Sequence, residues 1–166
     1  MFYSKKNAVL AKKAVTLLKE KGFKVSTAES CTGGLLSSYF TAVSGASSVF
    51  EFGVASYSAN AKEQLLGVNP KTIETLGTVS AKTAEEMADG IRNLADADIG
   101  ISVTGVAGPD IVENKAVGTV YSAFSHKGGV FSIKLEINEQ DRQSIRQEAC
   151  FRILTALIEC FERGTF

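Results

Sequence analysis

Histidine is almost missing from this chain, with His126 the one copy in 166 residues. It stands in Ser125-His126-Lys127-Gly128-Gly129 between two strand-like runs and reads as a hairpin tip. A Ser-His-Asp triad would have to recruit that loop, and a His-rich zinc site cannot be assembled. Cysteine is scarce too: three copies, with no Cys-x-x-Cys pair, fit a reducing compartment rather than a disulfide framework. Cys150 and Cys160 fall in an amphipathic helical pattern, where each serves as a small packing residue. Neither sign of charge prevails, since 18 Lys plus Arg face 18 Asp plus Glu, and no overall field draws the protein to nucleic acid or a membrane surface. No apolar run approaches the roughly 20 residues of a membrane span, and the N-terminus lacks the apolar block and cleavage site of a secretory signal, so the expected location is the cytoplasm. The motifs Gly-x-x-x-x-Gly-Lys-Ser/Thr, Gly-x-Gly-x-x-Gly and Gly-x-Ser-x-Gly are also absent, which removes the main support for P-loop, Rossmann and α/β-hydrolase readings.

What is present suffices for one core. With 45% hydrophobic residues and no repeat or Pro-rich linker, residues 1–166 are expected to form a single domain. Lys5 to Lys21 has helical spacing, with Gly22 as its stop. Phe23 to Thr27 reads as a strand, and a helix follows to about Val43. Phe50 to Ser56 reads as a second strand, and Ser58 caps a helix from Ala59 to Leu66. Pro70 opens a short helix to Leu76, and Ser80 caps a longer one to Leu94. A strand over Ile99 to Val103, a hairpin of Val117 to Phe124 with Val130 to Ile137, and a helix from about Gln140 to Glu162 complete the chain. This pattern predicts an α/β fold, a three-layer α/β/α sandwich around a mixed sheet of about five strands. Such sheets bind ligands at the carboxyl ends of their parallel strands, where Glu29-Ser30, Ser56-Tyr57 and Thr104-Gly105 are expected.

The stretch Ser26 to Gly34 places hydroxyls where a strand meets a helix start. Ser30 or Thr32 there can be an N-cap, part of a phosphate or oxyanion cradle, or a nucleophile, and the pattern alone leaves these open. Cys31 competes as nucleophile, because a helix start lowers a thiol pKa, but no histidine is at hand to partner it. Lys62, in the first turn of the helix capped by Ser58, opposes the helix dipole. It is either a solvated lysine or a base of the kind that replaces histidine in Ser-Lys acyl transfer. Tyr57 can relay a proton, orient the lysine or simply pack. Arg142 and Arg146 share the apolar face near the start of the last helix, where either an anionic ligand or acids such as Glu136, Glu139 and Asp141 would account for them. Thr104 to Pro109 supplies a glycine-containing turn that lets backbone approach a ligand.

Taken together, TAESCTGG (27–34), SGASSVFEFGVASYSANAK (44–62), LGV (66–68), GTVS (77–80), MADGIR (87–92), TGVAGPD (104–110), VGTV (117–120) and DRQSIR (141–146) closely resemble the CinA C-terminal domain family, the nicotinamide mononucleotide deamidases. The resemblance runs from about residue 5 to 160. It implies an anticodon-binding-domain-like α/β/α topology and hydrolysis of nicotinamide mononucleotide to nicotinate mononucleotide and ammonia, in pyridine nucleotide recycling, with no cofactor and no metal. It implies Ser30 as nucleophile, Lys62 as base and Tyr57 as assistant. Backbone N–H groups around Thr32, Gly33 and Gly34 are then the oxyanion or phosphate cradle. Thr104, Gly105 and Gly108 line the nucleotide pocket, and Arg142 or Arg146 contacts the phosphate. A stand-alone domain without the family's preceding nucleotide-binding domain, assembled as a homodimer, is also expected. One stretch departs from the family: where a glycine pair and a later Lys-Pro-Val-Gly segment are usual, residues 111–118 read IVENKAVG. A non-catalytic mononucleotide-binding or regulatory module of the same fold is the alternative that this departure favours.

Overall fold

The computed structural model describes residues 4–139 and 141–166. Each element follows from its local chemistry. Ser4 caps helix α1 (Lys5–Lys21) by accepting the Asn7 N–H, and Gly22 ends it in the left-handed conformation that costs glycine little. Strand β1 (Val25–Glu29) leads through a turn into the short α2 (Leu35–Thr41), and β2 (Phe50–Ala55) follows. Three helices come next, α3 (Ala59–Leu66), α4 (Pro70–Leu76) and α5 (Ala81–Leu94), capped by Ser58, Asn69 and Ser80 respectively. Strands β3 (Ile99–Gly105), β4 (Thr119–His126) and β5 (Gly129–Glu136) precede α6 (Arg142–Glu162). The expected start of α6 at Gln140 lies outside the described residues. Strand β1 begins and ends two residues later than expected, because Val25 rather than Phe23 enters the ladder and Glu29 stays in it.

The sheet order is β2-β1-β3-β4-β5, with the first three strands parallel and the last two antiparallel. This is the mixed five-stranded sheet expected. Every residue of β1 is buried, as befits a strand covered on both faces. The larger core packs Ile99, Ile101 and Val103 of β3 against α1, α2 and α6, while the opposite face packs against α3, α4 and α5. The buried stripe of α6 takes in Cys150, Leu154 and Ile158 beside Ile145, Ile153 and Leu157, because this helix faces α1 as well as the sheet, while Cys160 is only half-buried. Helix α5 lies so close to β3 that a Cβ on Gly100 would stand 2.2 Å from the Ala88 carbonyl oxygen. The connection from β1 runs to β2 over one face, and the connection from β2 crosses to β3 over the other. The carboxyl ends of β1, β2 and β3 therefore meet at a topological switch point. His126 sits at the far end of the sheet, since Ser125 pairs with Gly100 whereas Val120 pairs with Gly105. Its ring packs edge-on against Phe131 and Phe166, well away from Ser30.

Candidate active site

Strand β1 holds Ser30 rigidly, because the Ser30 N–H continues the ladder by donating to the Val103 carbonyl at 2.9 Å. Opposite it, the Ser58 cap starts α3 so that Lys62 turns inward and is only 1% exposed. As an ammonium, Lys62 has three acceptors for its three protons. Nζ lies 3.1 Å from Ser30 Oγ, 2.7 Å from the Ser56 carbonyl and 3.4 Å from the Tyr57 carbonyl. Burial lowers its pKa from 10.5 to about 8, an effect that the nearby Cys31 thiol and Glu113 carboxylate only partly offset. The helix dipole argued from sequence is thus joined by desolvation as the leading cause. Once Lys62 loses a proton, two N–H groups stay on the two carbonyls and the lone pair faces Ser30. That arrangement can take up the serine proton.

Cys31 is different. Burial and the neighbouring Glu29 push its thiol up to about 12, against smaller opposing contributions that include Lys62 and Arg142. It lines the same cavity as Ser30 but is held as a thiol, the unreactive form.

The start of α2 is not the open anion cradle that the glycine pair suggested. The fully buried Glu29 already occupies it, accepting the Gly34 N–H at 3.0 Å, the Leu36 N–H at 3.0 Å, the Ser37 N–H at 2.8 Å and the Ser37 hydroxyl at 2.5 Å. The Gly33 N–H is committed to the Ser30 carbonyl at 3.1 Å. What remains is nearer Ser30. Among the described residues, the N–H groups of Cys31 and Thr32 donate to no acceptor on another residue, the Cys31 N–H touching only its own sulfur. Gly33 and Gly34 shape this turn with φ of 56° and 93°, values that a side chain would strain.

The two arginines divide. Arg142 donates to the Gly108 carbonyl at 2.7 Å and to the Tyr57 hydroxyl at 2.6 Å, and it lines the cavity. Arg146 sits behind the turn, donating to the Thr32 carbonyl at 2.6 Å and to Gln143 at 3.0 Å. Neither pairs with an acid among the described residues. Tyr57 meets Lys62 through its backbone carbonyl, while its phenol reaches Arg142 instead. The proton relay through its hydroxyl is therefore not formed, and the orienting role falls to its backbone.

Between these groups lies a cavity of about 280 Å³. Ser30 and Cys31 form one wall and Gly105 to Asp110 another, with Thr78, Val79 and Val112 opposite and Tyr57 and Arg142 at the rim. Gly105 and Gly108 line it as expected. Thr104 does not, because its hydroxyl donates to the Thr78 carbonyl at 2.7 Å and so supports the wall from beneath. Sequence reasoning missed Glu29, Thr78, Val79 and Glu113. The available signal for Glu29 was an acid ending an otherwise apolar and hydroxyl-bearing strand directly before a helix start.

Comparison with known proteins agrees with this architecture. The model of the CinA C-terminal domain matches residues 7–161. A competence-damage inducible protein of Limosilactobacillus fermentum is 48% identical over 84% of this chain and 34% of its own length. One of Acetivibrio thermocellus is 48% identical over 76% of this chain and 31% of its own. The chain thus spans about a third of the length of these curated relatives. Among solved structures, a competence-damaged protein (CinA) superfamily member from Klebsiella pneumoniae superimposes with a TM-score of 0.92 at 30% identity, covering 95% of this chain and 98% of that one. The competence/damage inducible protein of Agrobacterium tumefaciens gives 0.90 at 35% identity, covering 95% and 96%.

Proposed function

The chain belongs to the CinA C-terminal domain family, and from that premise we propose that it is an amidohydrolase that cleaves the carboxamide of nicotinamide mononucleotide, giving nicotinate mononucleotide and ammonia. One observation carries the reading: a buried lysine with its pKa lowered to about 8 stands 3.1 Å from a serine hydroxyl in the wall of a cavity. Neutral Lys62 takes the Ser30 proton as Oγ attacks the amide carbon. The developing oxyanion is held by the Cys31 and Thr32 N–H groups. Collapse breaks the C–N bond, and the Lys62 ammonium returns its proton to the departing nitrogen, which leaves as ammonia. Water then attacks the acyl-Ser30 ester, giving one proton to Lys62, which passes it to Ser30 Oγ as the carboxylic acid is released and loses its remaining proton to solvent. Arg142, the cation at the cavity rim, holds the substrate phosphate.

The test is ammonia release from nicotinamide mononucleotide by the purified protein, beside Ser30→Ala and Lys62→Ala. Turnover in the wild type with loss of at least about a thousandfold in kcat for both variants is expected. Binding without turnover would overturn the catalytic reading in favour of a mononucleotide-binding module.

A further inference from the structure

Residues 111–115 fold into a defined turn beside the cavity. Val112 and Lys115 form an isolated antiparallel bridge, closed by the Lys115 N–H donating to the Val112 carbonyl at 2.9 Å. The two residues between them, Glu113 and Asn114, have φ of 52° and 58°, a primed two-residue turn. Asparagine tolerates that conformation, but glutamate seldom adopts it unless the surroundings over-determine it.

The surroundings here are the other wall of the cavity. Glu113 Oε1 accepts the Thr78 N–H at 2.8 Å and the Thr78 hydroxyl at 2.7 Å, while Oε2 accepts the Val79 N–H at 3.2 Å and the Lys115 ammonium at 3.3 Å. Gly77 makes the room, since a Cβ there would stand 2.0 Å from Oε2. Burial raises the Glu113 pKa, but the hydrogen bonds from Thr78, Val79 and Lys115 outweigh it and hold the group below the ordinary carboxylate value. The docked turn carries Val112 onto the cavity and leaves Ile111 and Val112 66% and 43% exposed beside its mouth. Exposed apolar surface beside a cavity marks a place that a ligand can cover.

We propose that residues 111–115 are a strap fastened by Glu113 to the Thr78–Val79 side of the cavity, and that Glu113 is a positioning residue that sets capture of a pyridine mononucleotide rather than the chemical step. The inference rests on the amidohydrolase reading for the identity of the ligand. The strap supplies the apolar side of the grip and Arg142 the anionic side.

Two variants grade the fastening. Glu113→Gly keeps the turn, because glycine accepts the positive φ, and removes all four bonds. Glu113→Gln retains an oxygen for the two Thr78 donors and loses the other pair. With nicotinamide mononucleotide as substrate at about pH 9, where Lys62 is largely neutral with or without the Glu113 charge that raises its pKa, KM should rise roughly tenfold to a hundredfold in Glu113→Gly and by less in Glu113→Gln, with kcat within about threefold of wild type. Hydrogen exchange at the Thr78 and Val79 amides should quicken in the same order, with α5 unchanged. An unchanged KM, a fall confined to kcat, or unaltered exchange in Glu113→Gly would each overturn the strap. If the wild type fails to turn over the mononucleotide, the activity reading fails by itself. The strap is then judged by exchange and by calorimetric binding of nicotinamide mononucleotide to the Glu113 variants, where equal affinities overturn it.

Discussion

Replacing Lys62 by methionine separates the electrostatics of the site from its activity. Methionine fills much the same volume without a charge, and it leaves Ser30 Oγ and the Ser56 and Tyr57 carbonyls without their donor. That loss costs a few kcal/mol, about 1–3 for each unsatisfied acceptor, and does not depend on pH. The charge term does. Folding lowers the lysine pKa from 10.5 to about 8, so holding the ammonium in the folded state costs roughly 3 kcal/mol at about 1.4 kcal/mol per unit. The sign follows from proton counting. Below pH 8 both states are protonated and the full cost is present. Between about 8 and 10.5 the unfolded chain binds the extra proton, so wild-type stability rises with pH relative to the variant. Above that interval the cost is gone. Urea unfolding of both proteins at pH 7 and pH 10 should show the wild type gaining about 2–3 kcal/mol on Lys62→Met, because other titrations cancel in the difference. Parallel stability curves would refute the claim that burial depresses this pKa, and with it the basis for Lys62 as a base.

Three other outcomes follow from the same geometry. Cys31→Ala should keep kcat within about threefold, and iodoacetamide at pH 8 should leave Cys31 unmodified in the folded protein, because a thiol pushed up to about 12 carries almost no thiolate there. Glu29→Gln should lower stability by about 2–4 kcal/mol in denaturant titration, since its amide group would face N–H donors that the carboxylate now satisfies. Arg142→Met should raise KM for nicotinamide mononucleotide by about tenfold to a hundredfold and leave kcat/KM for nicotinamide riboside, which has no phosphate, nearly unchanged.

Much of the frame was legible because it depends on local chemistry. The serine caps of α3 and α5, the glycine stop of α1 and the apolar periods set the elements, and parallel connectivity put Ser30, Tyr57 and Gly105 at one end of the sheet. Those placements and the shortage of histidine made Ser30 and Lys62 candidates, and their pairing came from the resemblance of the motifs. What escaped depends on where side chains far apart in sequence meet. Thr104 was expected to face the pocket, yet the strand alternation and the Thr78 carbonyl turn its hydroxyl under the wall. The glycine pair suggested free N–H groups, but Glu29, five residues before Gly34, has taken the Gly34 N–H and the Ser30 carbonyl the Gly33 N–H. Glu113 fastens to Thr78 across 35 residues through a turn conformation that its residue type disfavours, so neither propensity nor spacing could announce it.

The carboxylate that fills the start of α2 also bears on selectivity among small anions. An unoccupied helix start next to a nucleophile is a general trap for orthophosphate and sulfate, and in a cell it would be blocked for much of the time. With Glu29 as a permanent internal occupant, the start of α2 is closed to such ions, and Arg142 at the rim is where they compete with the substrate phosphate. Phosphate buffer should therefore act as a weak inhibitor that raises KM without slowing the turnover of bound substrate.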